Sequence, residues 1–321
     1  MIIDGHNDLV LHVWRGEPSE HLDLDEALAA GFVGGFFALY VPSPRQPDPT
    51  AIPYAVPLVE PLVYDEAARV AGELFDVLCA LPVTRATSVD DFQEGRITAI
   101  VHFEGADALA ADLSDLAAWY ERGLRSIGLV WSRPNAFACG VPFAFPASPD
   151  TGPGLTAAGI ELVRACNELG ILVDLSHLNE AGFWDVARVS KAPLVATHSN
   201  AHALCPSTRN LTDAQLDEVA RTNGVVGINF ASGFLREDGH HSPDTPISEI
   251  VRHIDYLVER MGIDHVAFGS DFDGAVVPAE LGGVAGLPKL VAALAGRGYD
   301  EEALAKVTHR NWLRVLDETW T

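Results

Sequence analysis

The sequence is poor in basic residues and in cysteine, and each shortage excludes a class of protein. Its 321 residues contain 21 Lys and Arg against 45 Asp and Glu, which gives a formal net charge of −24. A chain this acidic repels phosphate backbones, so we expect no nucleic-acid partner. Only four cysteines occur, with no Cys-x-x-Cys pair, so neither a disulfide framework nor a zinc–thiolate cluster is expected.

Long apolar runs are also missing. No stretch approaches the roughly 20 apolar residues that cross a bilayer, and the first ten residues, MIIDGHNDLV, contain no basic segment followed by an apolar run. We therefore expect a cytoplasmic protein without a membrane partner, and leave a homodimer open. The hydrophobic share of 48% is that of an ordinary globular chain. Without a linker or repeat, residues 1–321 are predicted to form a single domain.

Eight short apolar segments indicate β-strands, and helical patterns separate most of them. They contain many Val, Ile, Leu and Phe residues with little polar alternation, which is typical of parallel strands buried on both faces. The eight segments are residues 1–4, 33–40, 97–103, 125–130, 171–174, 194–197, 225–229 and 265–269. We therefore predict an α/β fold, a distorted (β/α)8 TIM-type barrel. A doubly wound sheet is the alternative, but the Gly-x-Gly-x-x-Gly that would follow its first strand is absent.

Caps and proline mark several boundaries between the strands. Gly170 can end a helix that begins near Leu155, and Thr212 with Gln215 has the spacing of a capping box. The last helix is predicted to run roughly over residues 301–316. Residues 41–61 are rich in proline and are predicted to form a long loop over the barrel mouth.

Imidazoles and carboxylates stand at the C-terminal ends of the predicted strands. The first strand leads into His6-x-Asp8, the third into Glu104, the fifth into His177 and the sixth into His198. In a parallel barrel these ends share the face on which active sites are built. Residues i and i+2 of a strand point the same way, so His6 and Asp8 can reach one cation.

Nitrogen and oxygen ligands of this kind suit Zn²⁺ or a similar divalent ion. Five candidate ligands exceed the need of one tetrahedral site, and a carboxylate such as Glu104 can bridge two ions about 3.5–4 Å apart. The sequence therefore predicts two divalent metal ions, with zinc preferred, at the C-terminal ends of the strands. The predicted metal ligands are His6, Asp8, Glu104, His177 and His198.

Other polar residues near the strand ends have less specific explanations. A lone histidine is more often a hydrogen-bonded loop residue than a ligand, so the remaining nine of the 12 histidines receive no metal role. Asp174 is predicted to orient its neighbours. Arg209 follows the sixth strand, where it can clamp a substrate carboxylate with two hydrogen bonds or form a surface salt bridge; spacing alone leaves both open.

These motifs resemble the renal-type (membrane) dipeptidase family of the amidohydrolase superfamily. The resemblance extends over almost the whole chain: DGHNDL at 4–9, HFEGADAL at 102–109, DLSH at 174–177, ATHSNAHAL at 196–204, RNLTD at 209–213, GSDFDG at 269–274 and NWLRVL at 311–316. It implies a (β/α)8 barrel with a binuclear zinc site that hydrolyses dipeptides, often with a D-residue at the C-terminal position. By the same resemblance, His6 and Asp8 hold one metal, His177 and His198 the other, and Glu104 bridges them.

The resemblance also implies roles for residues that do not bind metal. Arg209 matches the arginine that holds the substrate carboxylate, and Asp271 matches the catalytic acidic residue that handles protons. Trp131 stands where some family members carry a histidine that contacts the substrate carbonyl. We count Trp131 as a substrate-binding residue. In that case a metal or another donor has to polarise the carbonyl, and the substrate profile differs from that of the members with the histidine.

We therefore expect a zinc-dependent dipeptidase that uses a metal-bridging hydroxide, with Glu104 and Asp271 as catalytic residues and a dipeptide as its small-molecule substrate. One alternative keeps the two metals and changes the substrate to N-acyl amino acids or related amides, lactones or phosphotriesters. Dependence on a free substrate carboxylate would separate dipeptides from lactones and phosphotriesters. Another alternative is a metal-dependent binding protein without turnover.

Overall fold

The computed structural model describes residues 1–43 and 52–320. The strands in these ranges are β1 (Ile2–Asn7), β2 (Phe32–Leu39), β3 (Tyr54–Ala55), β4 (Thr84–Arg85), β5 (Thr98–Glu104), β6 (Leu124–Gly128), β7 (Ala144–Phe145), β8 (Leu172–Asp174), β9 (Val195–Ala196), β10 (Val225–Ile228) and β11 (Val266–Phe268). Each of the eight predicted strand segments overlaps one of the longer strands or β9.

Helices follow most of the strands. They are α1 (Leu9–Arg15), α2 (Leu24–Ala29), α3 (Tyr64–Ala80), α4 (Leu116–Glu121), α5 (Ala157–Leu169), α6 (Glu180–Val189), α7 (Asp213–Arg221), α8 (Ser232–Leu235), α9 (Ile247–Met261), α10 (Leu287–Arg297), α11 (Glu301–Ala305) and α12 (Asn311–Thr319). The predicted caps are present, because Gly170 has a φ of 69° at the end of α5, and Thr212 and Gln215 form the capping box of α7. None of the helices in the described ranges is long and apolar enough to cross a membrane.

Eight parallel strands pair in the order β1-β2-β5-β6-β8-β9-β10-β11 and form a nearly closed barrel. Between β11 and β1 the described residues form only an isolated bridge, Asn7 to Phe272, so the barrel has one unsealed seam. The Asp4 carboxylate spans this seam and accepts hydrogen bonds from Ser270 N and Oγ at 2.6 and 2.7 Å. The predicted distorted (β/α)8 barrel is therefore confirmed.

The barrel interior is apolar and is filled partly by the C-terminal helix. Side chains near the N-terminal ends of the strands, such as Ile3 and Leu172, pack against Trp312 and Leu316 of α12. Trp312 is fully buried, and its Nε1 donates to Phe268 O at 3.0 Å. The candidate ligands lie at the opposite end, where the strands terminate.

The last helix differs from its predicted course. A π-helical turn, Lys306–Arg310, separates α11 from α12, so residues 301–316 do not form one α-helix. A π-turn holds one residue more than an α-turn. Directly after it, Asn311 Nδ2 donates to Ile263 O and Val266 O at 2.8 Å each, while Trp312 enters the barrel. The extra residue shifts the phase of the helix, and these long-range contacts accompany the shift. The local helical pattern of the sequence does not encode such contacts.

The predicted mouth loop is described only in part, because residues 44–51 lie outside the described ranges. At its far side, β3 pairs antiparallel with β7, which belongs to the loop after β6. The two loops therefore support each other above the barrel. All four cysteines are free thiols.

Candidate metal centre

The five predicted metal ligands converge at the C-terminal end of the barrel. Glu104 Oε1 lies 3.0 Å from His177 Nε2 and 3.7 Å from the Nε2 atoms of both His6 and His198. His6 Nε2 lies 3.4 Å from Asp8 Oδ2, and the Nε2 atoms of His177 and His198 are 3.1 Å apart. All five residues are buried. Residues separated by up to 192 positions thus share one small volume.

Unusual backbone conformations place two of the polar side chains. His177 and Asp271 have φ values of 65° and 60°, in the left-handed region that non-glycine residues seldom adopt. Each such residue costs of order 1–3 kcal/mol and persists only where the surrounding structure fixes it. Gly105, at φ 95°, turns the chain immediately after Glu104. Such strain is common at functional sites and is found here at the strand ends that carry the candidate ligands.

Hydrogen bonds fix the tautomer of His198. Thr197 Oγ1 donates to Asp174 Oδ2 at 2.7 Å, so it can only accept from His198 Nδ1, which lies 2.8 Å away. The proton is therefore on Nδ1, and the Nε2 lone pair faces Glu104 and His177. Asp174 thus orients a neighbour through Thr197, as ligand-supporting carboxylates do. Ser132 Oγ contacts His177 Nδ1 at 2.9 Å in the corresponding position.

Several buried polar atoms at the centre have no hydrogen-bond partner. Among the described residues, both ring nitrogens of His6 and Oδ1 of Asp8 are unpartnered, whereas buried polar groups are nearly always hydrogen-bonded. Two overlapping triads have donor atoms within 4.8 Å of one another and could hold a cation: His6 with Glu104 and His198, and His6 with Asp8 and Asp271. The donor set therefore fits divalent metal ions, and the second triad shows that Asp271, predicted as a catalytic residue, lies close enough to contact one of them.

Burial and charge set the protonation of these groups in the absence of a cation. Burial, with Arg209 or His6 nearby, lowers the pKa of His177 and His198 well below 6.5, so both imidazoles are neutral at pH 7. Burial alone would also lower the pKa of His6, but Glu104 and Asp8 outweigh it and raise that pKa to about 10. The two carboxylates thus favour the protonated form of His6. A bound cation would supply the same positive charge in place of that proton.

Asp271 lies on the cavity wall beside the ligands. Its Oδ2 accepts from Asn229 Nδ2 at 2.9 Å, and burial raises its pKa above the usual 3.8. A Cβ atom on Gly274 would lie 2.5 Å from Asp271 Oδ1 and 2.3 Å from Asp8 Oδ2, so a larger residue there would displace these two carboxylates. Asn229 and Gly274 were not predicted from the sequence. Asn229 does carry the same signal as the ligands, because it is a polar residue directly after a barrel strand.

Arg209 is buried and is not part of a surface salt bridge. It is 3% exposed, Nη2 donates to His198 O at 3.2 Å, and Nε has no partner in the described part of the chain. No carboxylate of the described residues lies within 4.0 Å of its guanidinium, which instead sits 5.5 Å from the centre of the Phe234 ring. A buried guanidinium that no carboxylate contacts directly leaves a place for an anion beside the ligand set.

An open cavity of about 520 Å³ lies above the ligands. Asp8, Glu104, His177 and Asp271 line its base, and Trp131 lines one side. The structure thus places Trp131 at the cavity, whereas His6, His198 and Arg209 are not among the residues that line it. The histidines without a predicted metal role are mostly hydrogen-bonded, for example His12 to Pro18 O, His102 to Ser126 Oγ, His253 to Leu235 O and His265 to Gly224 O.

Comparison with known proteins agrees with this geometry. The model of the membrane dipeptidase family, peptidase family M19, matches residues 1–321. An uncharacterized protein from the pqqA 5′ region of Klebsiella pneumoniae is 54% identical over 236 residues, 73% of this chain and 87% of the relative.

Among solved structures, a metallopeptidase from Rhodobacter sphaeroides, liganded with a phosphinate mimic of the dipeptide L-Ala-D-Ala, is 46% identical. It superposes with a TM-score of 0.96 over 99% of both chains. The probable dipeptidase PvdM from Pseudomonas aeruginosa is 26% identical with a TM-score of 0.85, over 100% of this chain and 95% of its own. The full-length family match and these neighbours show that the chain belongs to the membrane dipeptidase family, peptidase family M19, and is a metallo-dipeptidase.

Proposed function

We propose that the chain hydrolyses dipeptides with a free C-terminal carboxylate, including L-Xaa-D-Xaa, by means of two zinc ions. The observation that carries the proposal is the convergence of five buried ligands, with unpartnered nitrogen atoms on His6, at the end of the barrel. The substrate class is supported by the Rhodobacter sphaeroides relative, which was liganded with a mimic of L-Ala-D-Ala.

His6 and Asp8 would hold one cation and His177 and His198 the other, with Glu104 between them. When bound, such a pair would supply hydroxide from water near neutral pH and would polarise the scissile carbonyl. The residues of the chain provide the ligand geometry. His198 is fixed in one tautomer, and the depressed pKa values of His177 and His198 keep their nitrogen lone pairs available at pH 7.

Asp271 is suited to move the proton of the reaction. Its carboxylate lies on the cavity wall, is held by Asn229, and has a pKa raised by burial, so it can take a proton from the nucleophile. Asp271 can then return that proton to the leaving amine, so the same carboxyl group acts first as a general base and then as a general acid.

Arg209 would bind the C-terminal carboxylate of the substrate. Its hydrogen bond to His198 O keeps the guanidinium next to the ligands, while Nε remains without a partner among the described residues. A guanidinium fork binds a carboxylate with two parallel hydrogen bonds. The chain is therefore expected to prefer free dipeptides to amidated or longer peptides.

Trp131 has no ionisable ring, so unlike a histidine it could offer the substrate carbonyl only a neutral indole N–H. Its side chain lies on the cavity wall, 5.9 Å from the His177 ring centre. Polarisation of the carbonyl would then come from a cation or from another donor, and we assign Trp131 to contact with the substrate.

The test is hydrolysis of an L-Xaa-D-Xaa and L-Xaa-L-Xaa library by zinc-loaded protein, with C-terminal amides and N-acetyl amino acids as matched controls. We expect cleavage of free dipeptides, loss of activity with a chelator, and recovery with zinc. Cleavage of N-acetyl amino acids in preference to dipeptides would support the alternative amidohydrolase. Stoichiometric zinc without hydrolysis of any substrate would support a binding protein.

A further inference from the structure

Four aromatic side chains form one side of the cavity, which we call the aromatic wall: Tyr40, Trp131, Phe143 and Phe234. The ring centres of Tyr40 and Trp131 are 5.2 Å apart, and those of Trp131 and Phe143 are 5.5 Å apart. Phe143 and Phe234 lie parallel, with centres 6.2 Å apart and planes 7° from each other. The wall is thus a continuous apolar surface rather than scattered aromatic residues.

The aromatic wall extends from the proposed carboxylate site to the metal ligands. At one end, the Arg209 guanidinium lies 5.5 Å from the Phe234 ring centre. At the other end, Trp131 lies 5.9 Å from the ring of His177. In a dipeptide, the C-terminal residue is the part that lies between the scissile carbonyl and the free carboxylate. A substrate held by Arg209 and cleaved at the metals therefore has its C-terminal residue along the aromatic wall.

The rest of the cavity lining includes charged groups. Asp271 and Asp8 belong to it beside the candidate ligands, and so do Glu17, Glu20 and Arg15. Carboxylates suit the free ammonium group of an N-terminal residue and offer little to an apolar side chain. The two ends of a dipeptide are thus distinguished independently, by a buried cation on one side and by carboxylates on the other.

A buried ion pair holds part of the aromatic wall in place. The Arg133 guanidinium is fully buried, pairs with Asp107 at 3.1 and 3.2 Å, and donates to Ser43 Oγ and Val41 O. It also lies 5.5 Å from the Trp131 ring centre. One side chain thus connects the segments that follow β2, β5 and β6. A surface fixed in this way loses little freedom when a ligand binds.

From these observations, and resting on the proposed function, we infer that the aromatic wall is the specificity pocket for the side chain of the C-terminal residue. The protein then prefers dipeptides whose C-terminal residue is aromatic or bulky and apolar. Burial of such a side chain against aromatic rings removes apolar surface from water and adds favourable ring contacts. Trp131, Phe143 and Phe234 are the residues that set this preference.

The first test compares two matched substrate series on the zinc-loaded wild-type chain. L-Ala-D-Phe and L-Ala-D-Leu are measured against L-Ala-D-Ala, and L-Phe-D-Ala and L-Leu-D-Ala against the same reference. We expect kcat/KM to rise roughly tenfold or more in the C-terminal series, the size typical of an apolar pocket, and to change by less than about threefold in the N-terminal series. Equal values in the C-terminal series, or a preference confined to the N-terminal series, would overturn the inference.

The second test removes the wall. Phe143→Ala and Trp131→Ala should each reduce the ratio of kcat/KM for L-Ala-D-Phe to that for L-Ala-D-Ala to below about one third of its wild-type value. Tyr64→Ala is the control, because Tyr64 is an aromatic residue that is 40% exposed and lies outside the cavity. An unchanged ratio in both wall variants would contradict the assignment.

Binding provides a readout that does not depend on turnover or on the variants. Phosphinate mimics of L-Ala-D-Phe and L-Ala-D-Ala are titrated calorimetrically into the wild-type zinc-loaded chain, and the D-Phe mimic should bind the more tightly by roughly tenfold. Equal affinities would overturn the inference. Failure to hydrolyse any dipeptide would instead overturn the proposed function, so the two failures are distinguishable.

Discussion

Thr197 controls the nitrogen that His198 offers to a metal. Its hydroxyl donates to Asp174 and accepts from His198 Nδ1, so the imidazole keeps its Nε2 lone pair directed at the ligand set. Thr197→Val preserves the shape of the side chain and removes this contact. We expect zinc affinity to fall by about 10–100-fold, as for other partners of metal-bound histidines. The measurement is a competition titration against a chromophoric chelator.

Ser126→Ala is the matched control for this prediction, because Ser126 contacts His102, to which we assign no metal role. It should leave the zinc affinity within about twofold, since an untouched ligand set loses no supporting contact. Equal losses in both variants would indicate a general effect of packing. An unchanged affinity in Thr197→Val would remove Thr197 from the metal-supporting network.

Arg209 is the residue on which recognition of the free carboxylate depends. Arg209→Met keeps much of the length of the side chain and removes the charge, so KM for dipeptides should rise by roughly 10²-fold, as expected for loss of a buried hydrogen-bonded charge pair. The control is the corresponding dipeptide amide, whose hydrolysis should change little. An unchanged KM for the free dipeptide would show that Arg209 does not contact the substrate.

The barrel strands were predictable because their signal is local. Continuous apolar runs mark strands that are buried on both faces, and every residue of β2 and β5 is buried. The β3–β7 pair was not predicted, because each strand is two residues long and depends on the approach of two distant loops. The π-turn before Asn311 was missed for a similar reason, since its surroundings include the backbone of Ile263 and Val266.

Gly269, which follows β11, shows how closely the strand ends pack beneath the site. A Cβ atom there would lie 2.0 Å from Thr197 O and 3.1 Å from Gly227 Cα, both of which are backbone atoms. Gly269→Ala should therefore displace the segment that carries His198 and lower both the thermal midpoint and the zinc content. Differential scanning calorimetry and metal analysis of the purified variant measure the two effects.

Gly296 provides the opposite case within α10. A Cβ atom there meets no other atom within 4 Å. Gly296→Ala should stabilise the chain by about 0.5–1 kcal/mol. The reason is that alanine has less conformational freedom than glycine in the unfolded chain, so less entropy is lost when the helix forms. If Gly269→Ala were as stable as Gly296→Ala, the close packing described at the strand ends would be wrong.

At the scale of the whole molecule, the sequence predicted which residues form the ligand set. It predicted much less of how the loops arrange the surroundings of that set. The ligands could be found because a parallel barrel brings all its strand ends to one face, whichever loops follow. Burial of Arg209 beside Phe234, the Arg133–Asp107 pair and the aromatic wall depend on loops whose conformations the sequence pattern does not determine. The cytoplasmic location stays a prediction, and whether the chain forms a homodimer stays open.

The stability of the metal-free chain should fall in mild acid, in part through His253. Burial lowers the pKa of His253 from 6.5 to about 3, and the ring is held by Ala201 N and Leu235 O. Above pH 6.5 the folded and unfolded forms are both neutral at this residue. Below pH 6.5 only the unfolded form takes up the proton, so folding loses free energy until the pH nears 3.

The His253 contribution should reach about 2–3 kcal/mol at pH 4.5, from the pKa difference alone. Urea unfolding at pH 7 and 4.5, compared between wild type and His253→Gln, measures it. The loss on acidification should be smaller in the variant by this amount. An equal loss in both proteins would show that His253 is protonated in the folded chain or that its ring is not buried.

The convergence of distant imidazoles and carboxylates on a pair of cations is tested most directly by anomalous diffraction at the zinc edge, together with metal analysis, on zinc-loaded crystals. We expect two zinc ions per chain, both within ligand distance of Glu104, one beside His6 and Asp8 and the other beside His177 and His198. No bound zinc at this end of the barrel, or zinc bound only elsewhere, would contradict that convergence.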